Sequence, residues 1–218
     1  QFYSVLVTNT VSKHDLAAIV SFEDSEDKLR SCLQALRTWV PSITVVIGEG
    51  EDTAKKIIDE LNLSTCIHSS STTSSRWDFG LNQINSRWTL LIRSNEVITG
   101  QLRKTIVEKI KTRGGDSCKY PLPTTIVFLK KRLKYPLDWH DSQQSCLTYL
   151  PQSITNTTGQ FNKKHEEFDG ELIRYHEDTL SDCATAVVKK AEERATRLAQ
   201  KIKSPDPSSL FIRGFISS

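Results

Sequence analysis

Short apolar runs alternate with amphipathic segments through the first half of the chain, and this alternation limits the fold more than any other feature. Residues 16–20 form a five-residue apolar run, and residues 43–47 and 88–92 have the same character of short buried strands. Between the first two, residues 26–40 carry apolar side chains at three- and four-residue spacing, which predicts a helix with one buried face. Strands that alternate with helices in such short units indicate a parallel sheet covered on both faces.

Three further helices are predicted in this half. Asp52 is expected to cap a helix that ends at Leu61. A Ser/Thr-rich loop at 69–75 precedes helical spacing at 77–84, and the fourth helix is marked by apolar residues from 102 to 110. In sheets of this kind, ligands bind outside the carboxyl ends of the strands. A candidate site is therefore predicted where residues 21–24, 48–52 and 93–96 meet.

The pattern changes after residue 118. Residues 124–129 and 145–150 are typical of strands, and residues 179–203 predict one long helix. Six basic residues lie in the last part of that helix, so its polar side is either an ordinary solvated face or a face that rests on an anionic membrane surface. The predicted organisation is an N-terminal extension (1–15), one α/β domain (16–178, with halves 16–118 and 119–178), the helix (179–203) and a short apolar tail (204–218).

Composition excludes several classes of protein. Of 218 residues, 25% are charged and 37% hydrophobic, which excludes a disordered tail, a collagen and a membrane bundle. The 29 basic residues nearly balance 26 acidic ones, so no nucleic-acid partner is expected. The five cysteines lie far apart, which indicates free thiols in a reducing compartment and predicts a cytoplasmic protein.

Residues 77–99 read WDFGLNQINSRWTLLIRSNEVIT and resemble the segment R-N-F-G-L-x-x-A-x-G-D-W-I-L-F-L-D-A-D-E-V-L-T of family 2 glycosyltransferases. The second half is similar to the lipopolysaccharide core glucosyltransferases of that family. It has their order of features: a Y-P-L-P motif at 120–123, a basic stretch, the pair His165-Glu166, Gly170, and His176 before the long helix.

The resemblance covers about residues 16–216 and implies the GT-A fold, a Rossmann-like mixed sheet with helices on both faces and a long C-terminal helix. It implies inverting hexosyl transfer from a sugar nucleotide, with a UDP-sugar favoured, to a glycan acceptor in cell-surface polysaccharide or lipopolysaccharide synthesis. Such a transfer needs a carboxylate base for the acceptor hydroxyl. The resemblance gives that role to Glu166 and puts His165 on the acceptor side.

Positive charge at the diphosphate is also needed, and the family obtains it from Mg²⁺ or Mn²⁺ held by a D-x-D motif. This chain reads Arg93-Ser94-Asn95 there, so both metal-binding carboxylates are replaced and no metal cofactor is expected. The aspartate that holds the nucleotide base in the family is Ile47 here. The remaining candidates for nucleotide and diphosphate binding are Glu23, Asp52, Arg76, Arg93, Asn95, Glu96 and His176.

Arg93 leaves three interpretations open. It could pair with the diphosphate in place of the metal, which would make transfer metal-independent. It could fill the emptied metal position as an internal charge, paired with Glu96 or Glu23, in a catalytically inactive relative that binds a glycan or a partner protein. It could also be a surface arginine at a strand end. The predicted function is accordingly a glycosyltransferase-like protein at the inner membrane face, active without metal or inactive.

Overall fold

The computed structural model describes residues 16–23, 25–69, 72–111, 117–133, 144–150, 162–163 and 168–176, together with eight residues between 179 and 195. The chain divides into two compact units: Gln1–Val127 with Arg132–His176, and Phe128–Lys131 with Glu177–Ser218. The predicted extension 1–15 and tail 204–218 lie outside the described residues.

Eleven strands and four helices are described before residue 177. The helices are α1 (Glu26–Arg37), α2 (Asp52–Glu60), α3 (Thr73–Leu81) and α4 (Gly100–Lys111). The strands are β1 (Leu16–Ser21), β2 (Ser42–Ile47), β3 (Ser64–Ile67), β4 (Trp88–Arg93), β5 (Glu96–Ile98), β6 (Cys118–Pro121), β7 (Thr124–Phe128), β8 (Lys131–Arg132), β9 (Cys146–Tyr149), β10 (Asn162–Lys163) and β11 (Leu172–Tyr175).

The main sheet has seven strands in the order β10-β6-β9-β4-β1-β2-β3, and a second sheet has the order β5-β11-β7-β8. Strand β1 pairs in parallel with β2 and β4, and β3 pairs in parallel with β2. Strand β9 runs antiparallel to both β4 and β6, so the sheet is mixed. The carboxyl ends of the parallel set β4, β1, β2 and β3 therefore lie side by side along one edge.

Alternate residues of the central strands face opposite layers. Ala18 and Val20 of β1 belong to a core that includes apolar side chains of α1, α2 and α4. Ile19, between them, packs with Trp77 and Leu81 of α3 in a second core. Helices thus cover both faces, and the predicted fold class, a Rossmann-like mixed α/β sheet, is confirmed.

Two predicted helix starts are wrong. Helix α3 begins at Thr73, inside the predicted loop, because the Thr72 hydroxyl accepts a hydrogen bond from the Ser75 amide and caps the first turn. It ends at Leu81, before Ile84. Asp52 is the first residue of α2 and not its cap.

The N-cap position of α2 belongs to Glu51, whose side chain makes no capping hydrogen bond. Six short strands, β3, β5, β6, β8, β10 and β11, were also not predicted. Each has only two to four residues, too few for an alternating pattern to be recognised.

The described residues of the predicted C-terminal helix are helical between Ser181 and Ala195. Val188, which the sequence places on the apolar side, is 57% exposed. Within the described part of the chain, no helix is both long and apolar enough to cross a membrane.

Candidate functional site

Side chains from the first turns of α3 reach the carboxyl ends of four neighbouring parallel strands. This follows from the position of α3 against β1 and β2, where Gly80 allows close approach: a Cβ there would lie 2.7 Å from Ile19 Cγ2. The contacts join Thr73 to Glu23 after β1, Arg76 to Glu51 after β2, Ser75 to His68 after β3, and Trp77 to the carbonyl of Ile92 in β4. The segments that the sequence predicted to meet at this edge do meet there.

Arg93, the last residue of β4, is 2% exposed. Its Nη1 lies 3.5 Å from Glu96 Oε1, and its Nε lies 3.6 Å from Glu23 Oε1. The guanidinium carbon is 5.1 Å from the centroid of the Trp77 ring, within the range of a cation–π contact. The interpretation of Arg93 as a surface residue is therefore wrong, and its positive charge is balanced inside the protein.

Glu96 is the centre of the buried cluster. Its side chain is fully buried, and its carboxylate accepts hydrogen bonds from the Arg93 amide (2.8 Å), Arg174 Nε (2.8 Å) and Ser145 Oγ (2.6 and 2.9 Å). These donors, together with the Arg93 guanidinium, use the acceptor capacity of a carboxylate. Glu96 thus serves two arginines as their internal counter-ion.

Glu23 connects this cluster to solvent. Its side chain is 29% exposed, and its carboxylate faces Arg93 while accepting a 3.0 Å hydrogen bond from the Thr73 hydroxyl. Its amide donates to Ser94 Oγ at 2.9 Å, and the Ser94 amide donates to the carbonyl of Ser21. The chain segments after β1 and β4 are thereby fixed to each other.

Arg76 and Glu51 form a second ion pair at the end of β2. Arg76 Nη2 lies 3.1 Å from Glu51 Oε1, and the Gly48 amide donates to Glu51 Oε2 at 2.6 Å. Arg76 Nη1 donates to the carbonyl of Phe22, so the guanidinium is also attached to the segment after β1. The side chain of Arg76 is 8% exposed and that of Glu51 is 24% exposed.

The other predicted binding residues lie outside these two clusters. Asp52 is exposed at the start of α2. Asn95 is half-buried, its carbonyl accepts from the Tyr175 amide, and its Oδ1 has no hydrogen-bond partner among the described residues. His176 is half-buried, and its carbonyl accepts a 2.7 Å hydrogen bond from Lys28 Nζ.

His165 and Glu166, the predicted acceptor-side residue and catalytic base, lie outside the described residues. The structure therefore brings together Glu23, Arg76, Arg93 and Glu96 of the predicted set. The roles assigned to His165 and Glu166 stay predictions.

The described residues at this edge do not fit the divalent cation that the family uses. Within the described ranges, no group of three or more His, Cys, Asp or Glu side chains is arranged to hold a metal ion. Glu23 and Glu96 flank Arg93, whose fixed positive charge opposes a cation between them.

Three residues of the clusters were missed by sequence reasoning. Glu51 falls within the predicted segment 48–52, and the nearby glycines are the one signal that could have drawn attention to it. Ser145 and Arg174 lie 49 and 78 residues after Glu96 in the chain. No local pattern links them to it, so only the fold identifies them.

Comparison with known proteins gives limited information. No protein-family model matches this chain, and no curated protein matches it. Among solved structures, the inositol-1-phosphate CTP transferase from T. maritima superposes with a TM-score of 0.46 and 9% sequence identity, over 78% of this chain and 91% of that chain. We base no function on a similarity of this size.

Proposed function

We propose that this protein is a catalytically inactive, glycosyltransferase-like protein that binds a glycan or a partner glycosyltransferase. The observation that carries the proposal is the environment of Arg93, which stands where the resemblance places the first metal-binding carboxylate. Its guanidinium faces Glu23 and Glu96, and the residue as a whole is 2% exposed.

The contacts of Arg93 support this reading. Its guanidinium already faces two carboxylates, Glu23 and Glu96, and the residue is almost fully buried. A diphosphate could pair with Arg93 only after one of these carboxylates moved away. The charge-assisted hydrogen bond gained, worth about 1.5–3 kcal/mol, would then replace an existing one of the same kind.

A second candidate is metal-independent, inverting hexosyl transfer from a UDP-sugar, with Glu166 as the base. The observation in its favour is that two guanidinium groups flank residues 22–23: Arg76 bonds to the carbonyl of Phe22, and Arg93 faces Glu23. Rotation of the Glu23 side chain, which is 29% exposed, would take its carboxylate away from Arg93 Nε and make room there for a diphosphate oxygen.

Calorimetric titration with UDP and UDP-glucose, with and without Mn²⁺, separates the two candidates. The inactive protein gives no heat of binding in either condition. Metal-independent binding together with sugar transfer would overturn the first proposal and support the second. In that case Glu166→Gln should abolish transfer and change donor affinity by less than about threefold.

Variants of Glu23 sharpen this test. If Arg93 holds a diphosphate, Glu23→Gln releases the guanidinium on one side and tightens binding of UDP. If Arg93 is an internal charge, the variant gives no heat of binding with UDP, as expected for the wild type. Glu49→Gln is the matched control, because it removes one exposed carboxylate from the adjacent loop.

Binding of a glycan, the first of the two proposed interactions, is tested with immobilised core oligosaccharides of lipopolysaccharide. We expect retention of the wild-type protein without added nucleotide. Absence of retention, on oligosaccharides that a glucosyltransferase of this group does bind, would contradict glycan binding. The partner would then be sought among glycosyltransferases.

We also propose that the protein is cytoplasmic and that its C-terminal helix rests on an anionic membrane. The support is sequence-based: six basic residues between 189 and 203, each worth about 1 kcal/mol at such a surface. Sedimentation with phosphatidylglycerol vesicles should show binding that weakens as salt is raised. Equal binding to phosphatidylcholine vesicles would contradict the electrostatic part.

A further inference from the structure

Glu51 occupies a small positively charged seat at the end of β2. The seat has two donors, the main-chain amide of Gly48 and the guanidinium of Arg76. They hold the two oxygens of the carboxylate separately, at 2.6 Å for Oε2 and 3.1 Å for Oε1. A main-chain amide beside an arginine is a donor set that binds phosphate and carboxylate ligands in proteins generally.

Gly48 gives this seat its space. A Cβ at this position would lie 2.8 Å from Arg76 Nη2 and 3.0 Å from Glu51 Oε1. Any other residue would therefore fill the volume in which the guanidinium and the carboxylate now meet against the main chain.

Arg76 is held in position by more than Glu51. Its Nη1 donates to the carbonyl of Phe22, and the residue as a whole is 7% exposed. The neighbouring Trp77 is fixed as well, through its Nε1 hydrogen bond to Ile92. The guanidinium is thus preorganised, so an anion that replaced Glu51 would meet a donor already in place.

Glu51 is attached to the seat more loosely than Arg76. It holds the N-cap position of α2, yet its side chain makes no capping hydrogen bond. Its side chain is 24% exposed, which leaves one side open to solvent. Departure of the carboxylate therefore breaks its contacts in the seat and leaves the hydrogen bonds of α2 intact.

We propose that the Gly48–Arg76 seat is a binding site for a small oxyanion, a phosphate group or a carboxylate, and that Glu51 is its built-in competitor. An external anion binds when the Glu51 side chain swings toward solvent. The inference goes beyond the proposed function, because it holds whether or not the protein transfers sugar.

The test compares Glu51→Ala with the matched control Glu49→Ala, which removes an equal charge from an exposed position two residues earlier. The probes are inorganic phosphate and acetate, which carry no nucleotide. They are followed by calorimetry and by the thermal midpoint in a buffer without other oxyanions. We expect Glu51→Ala to bind phosphate about tenfold more tightly than the wild type and the control, the ratio that loss of one charge-assisted competitor gives.

Thermal midpoints give an independent reading. Phosphate or acetate should raise the midpoint of Glu51→Ala more than that of Glu49→Ala at the same concentration, and the more effective probe shows which oxyanion class the seat prefers. Adding Arg76→Lys to Glu51→Ala should abolish the gain, because lysine keeps the charge and loses the guanidinium geometry.

Phosphate affinities that are the same in Glu51→Ala, Glu49→Ala and the wild type would overturn the proposal. If Glu51→Ala does not fold, Glu51→Gln replaces it, since glutamine keeps the size and removes the charge. Glu51→Gln is expected to bind phosphate more tightly than the wild type, and failure to do so would equally overturn the proposal. Because these probes contain no nucleotide, such a failure leaves the proposed function untouched.

Discussion

Arg93 Nη1 lies 3.5 Å from Glu96 Oε1, and neither side chain is more than 3% exposed. Arg174 approaches the same Glu96 oxygen at 2.8 Å. Two arginines thus share one buried carboxylate, and Glu23 supplies a second negative charge from the solvent side. This arrangement attaches β4 and β5 of two different sheets to each other, so we expect it to contribute to stability.

Replacing Glu96 with Gln should lower the free energy of unfolding by about 3–5 kcal/mol, because it leaves Arg93 and Arg174 without their shared counter-ion in a buried position. Urea-induced unfolding followed by circular dichroism measures the change. Glu23→Gln is the matched control: its carboxylate is 29% exposed, so the expected loss is about 1 kcal/mol or less. Losses of equal size in the two variants would contradict a buried cluster centred on Glu96.

Gly170 should not tolerate a side chain. Its φ is +91°, and a Cβ there would lie 2.3 Å from the backbone nitrogen of Leu102. We expect Gly170→Ala to lower the free energy of unfolding by about 2–4 kcal/mol, through backbone strain and overpacking together.

Gly100→Ala is the control for this variant. A Cβ at Gly100 meets nothing within 4 Å, and the residue begins α4, so the change should lie within about 1 kcal/mol and favour the folded state. A similar loss of stability in both variants, measured by thermal unfolding, would show that Gly170 is not constrained in this way.

The sequence was sufficient to predict the long central strands β1, β2 and β4, because each is a short, continuous apolar run. Helices α1 and α4 were predicted from the helical spacing of their apolar residues. The parallel order of these strands then predicted that the segments after their carboxyl ends meet at one edge. Helix α3 was predicted in the right region, but its start was not, since a Ser/Thr run that looks like a loop also supplies the cap at Thr72.

The candidate site was predictable only in part. Glu23, Arg76, Arg93 and Glu96 could be selected because each stands beside a predicted strand end or in the segment that resembles the glycosyltransferases. The orientation of their charged groups could not be predicted, because it depends on partners from distant parts of the chain, such as Ser145 and Arg174. Glu51 was passed over for Asp52, since N-cap preferences favour Asp and do not include Glu.

The cysteines of the structure should differ in reactivity. Cys32, Cys118 and Cys146 are buried free thiols, whereas Cys66 is partly exposed. Burial raises the pKa of the Cys146 thiol to about 12, and it raises the pKa of Cys32 and of Cys66 as well. The thiolate is the reactive form of a cysteine, and it must also be reachable by the reagent. Cys66 is the one partly exposed thiol among these four, so it should be alkylated first.

Iodoacetamide labelling of the native protein, followed by peptide mass spectrometry, measures this order. We expect Cys66 to react about tenfold faster than the three buried thiols, and to react faster as the pH rises. In denaturant the four rates should converge, which controls for intrinsic reactivity. Early labelling of Cys32 in the folded protein would contradict its burial.

Glu171 should make the stability depend on pH. The hydroxyl of Thr125 donates to Oε2 at 2.5 Å, and Arg132 Nη1 lies 2.6 Å from Oε1. The Thr125 hydrogen bond has the largest effect and lowers the pKa of the Glu171 carboxyl. Burial, the next largest effect, raises it, and the hydrogen bond and charge of Arg132 lower it again, so the pKa lies below its ordinary value of 4.5. The folded protein therefore binds this proton less readily than the unfolded chain.

A carboxyl whose pKa is lower in the folded protein than in the unfolded chain stabilises the protein at pH values above its ordinary pKa. That stabilisation is lost as the pH falls through the folded-state pKa. Glu171→Gln carries no titrating group here, so the difference in unfolding free energy between the wild type and this variant should be constant near neutral pH and shrink below pH 4.5. Urea unfolding at a series of pH values measures that difference. Thr125→Val removes the strongest cause of the shift, so it should reduce the pH-dependent part relative to the wild type. Parallel profiles for the wild type and Glu171→Gln would show that the Glu171 carboxylate is not preferentially stabilised in the folded state.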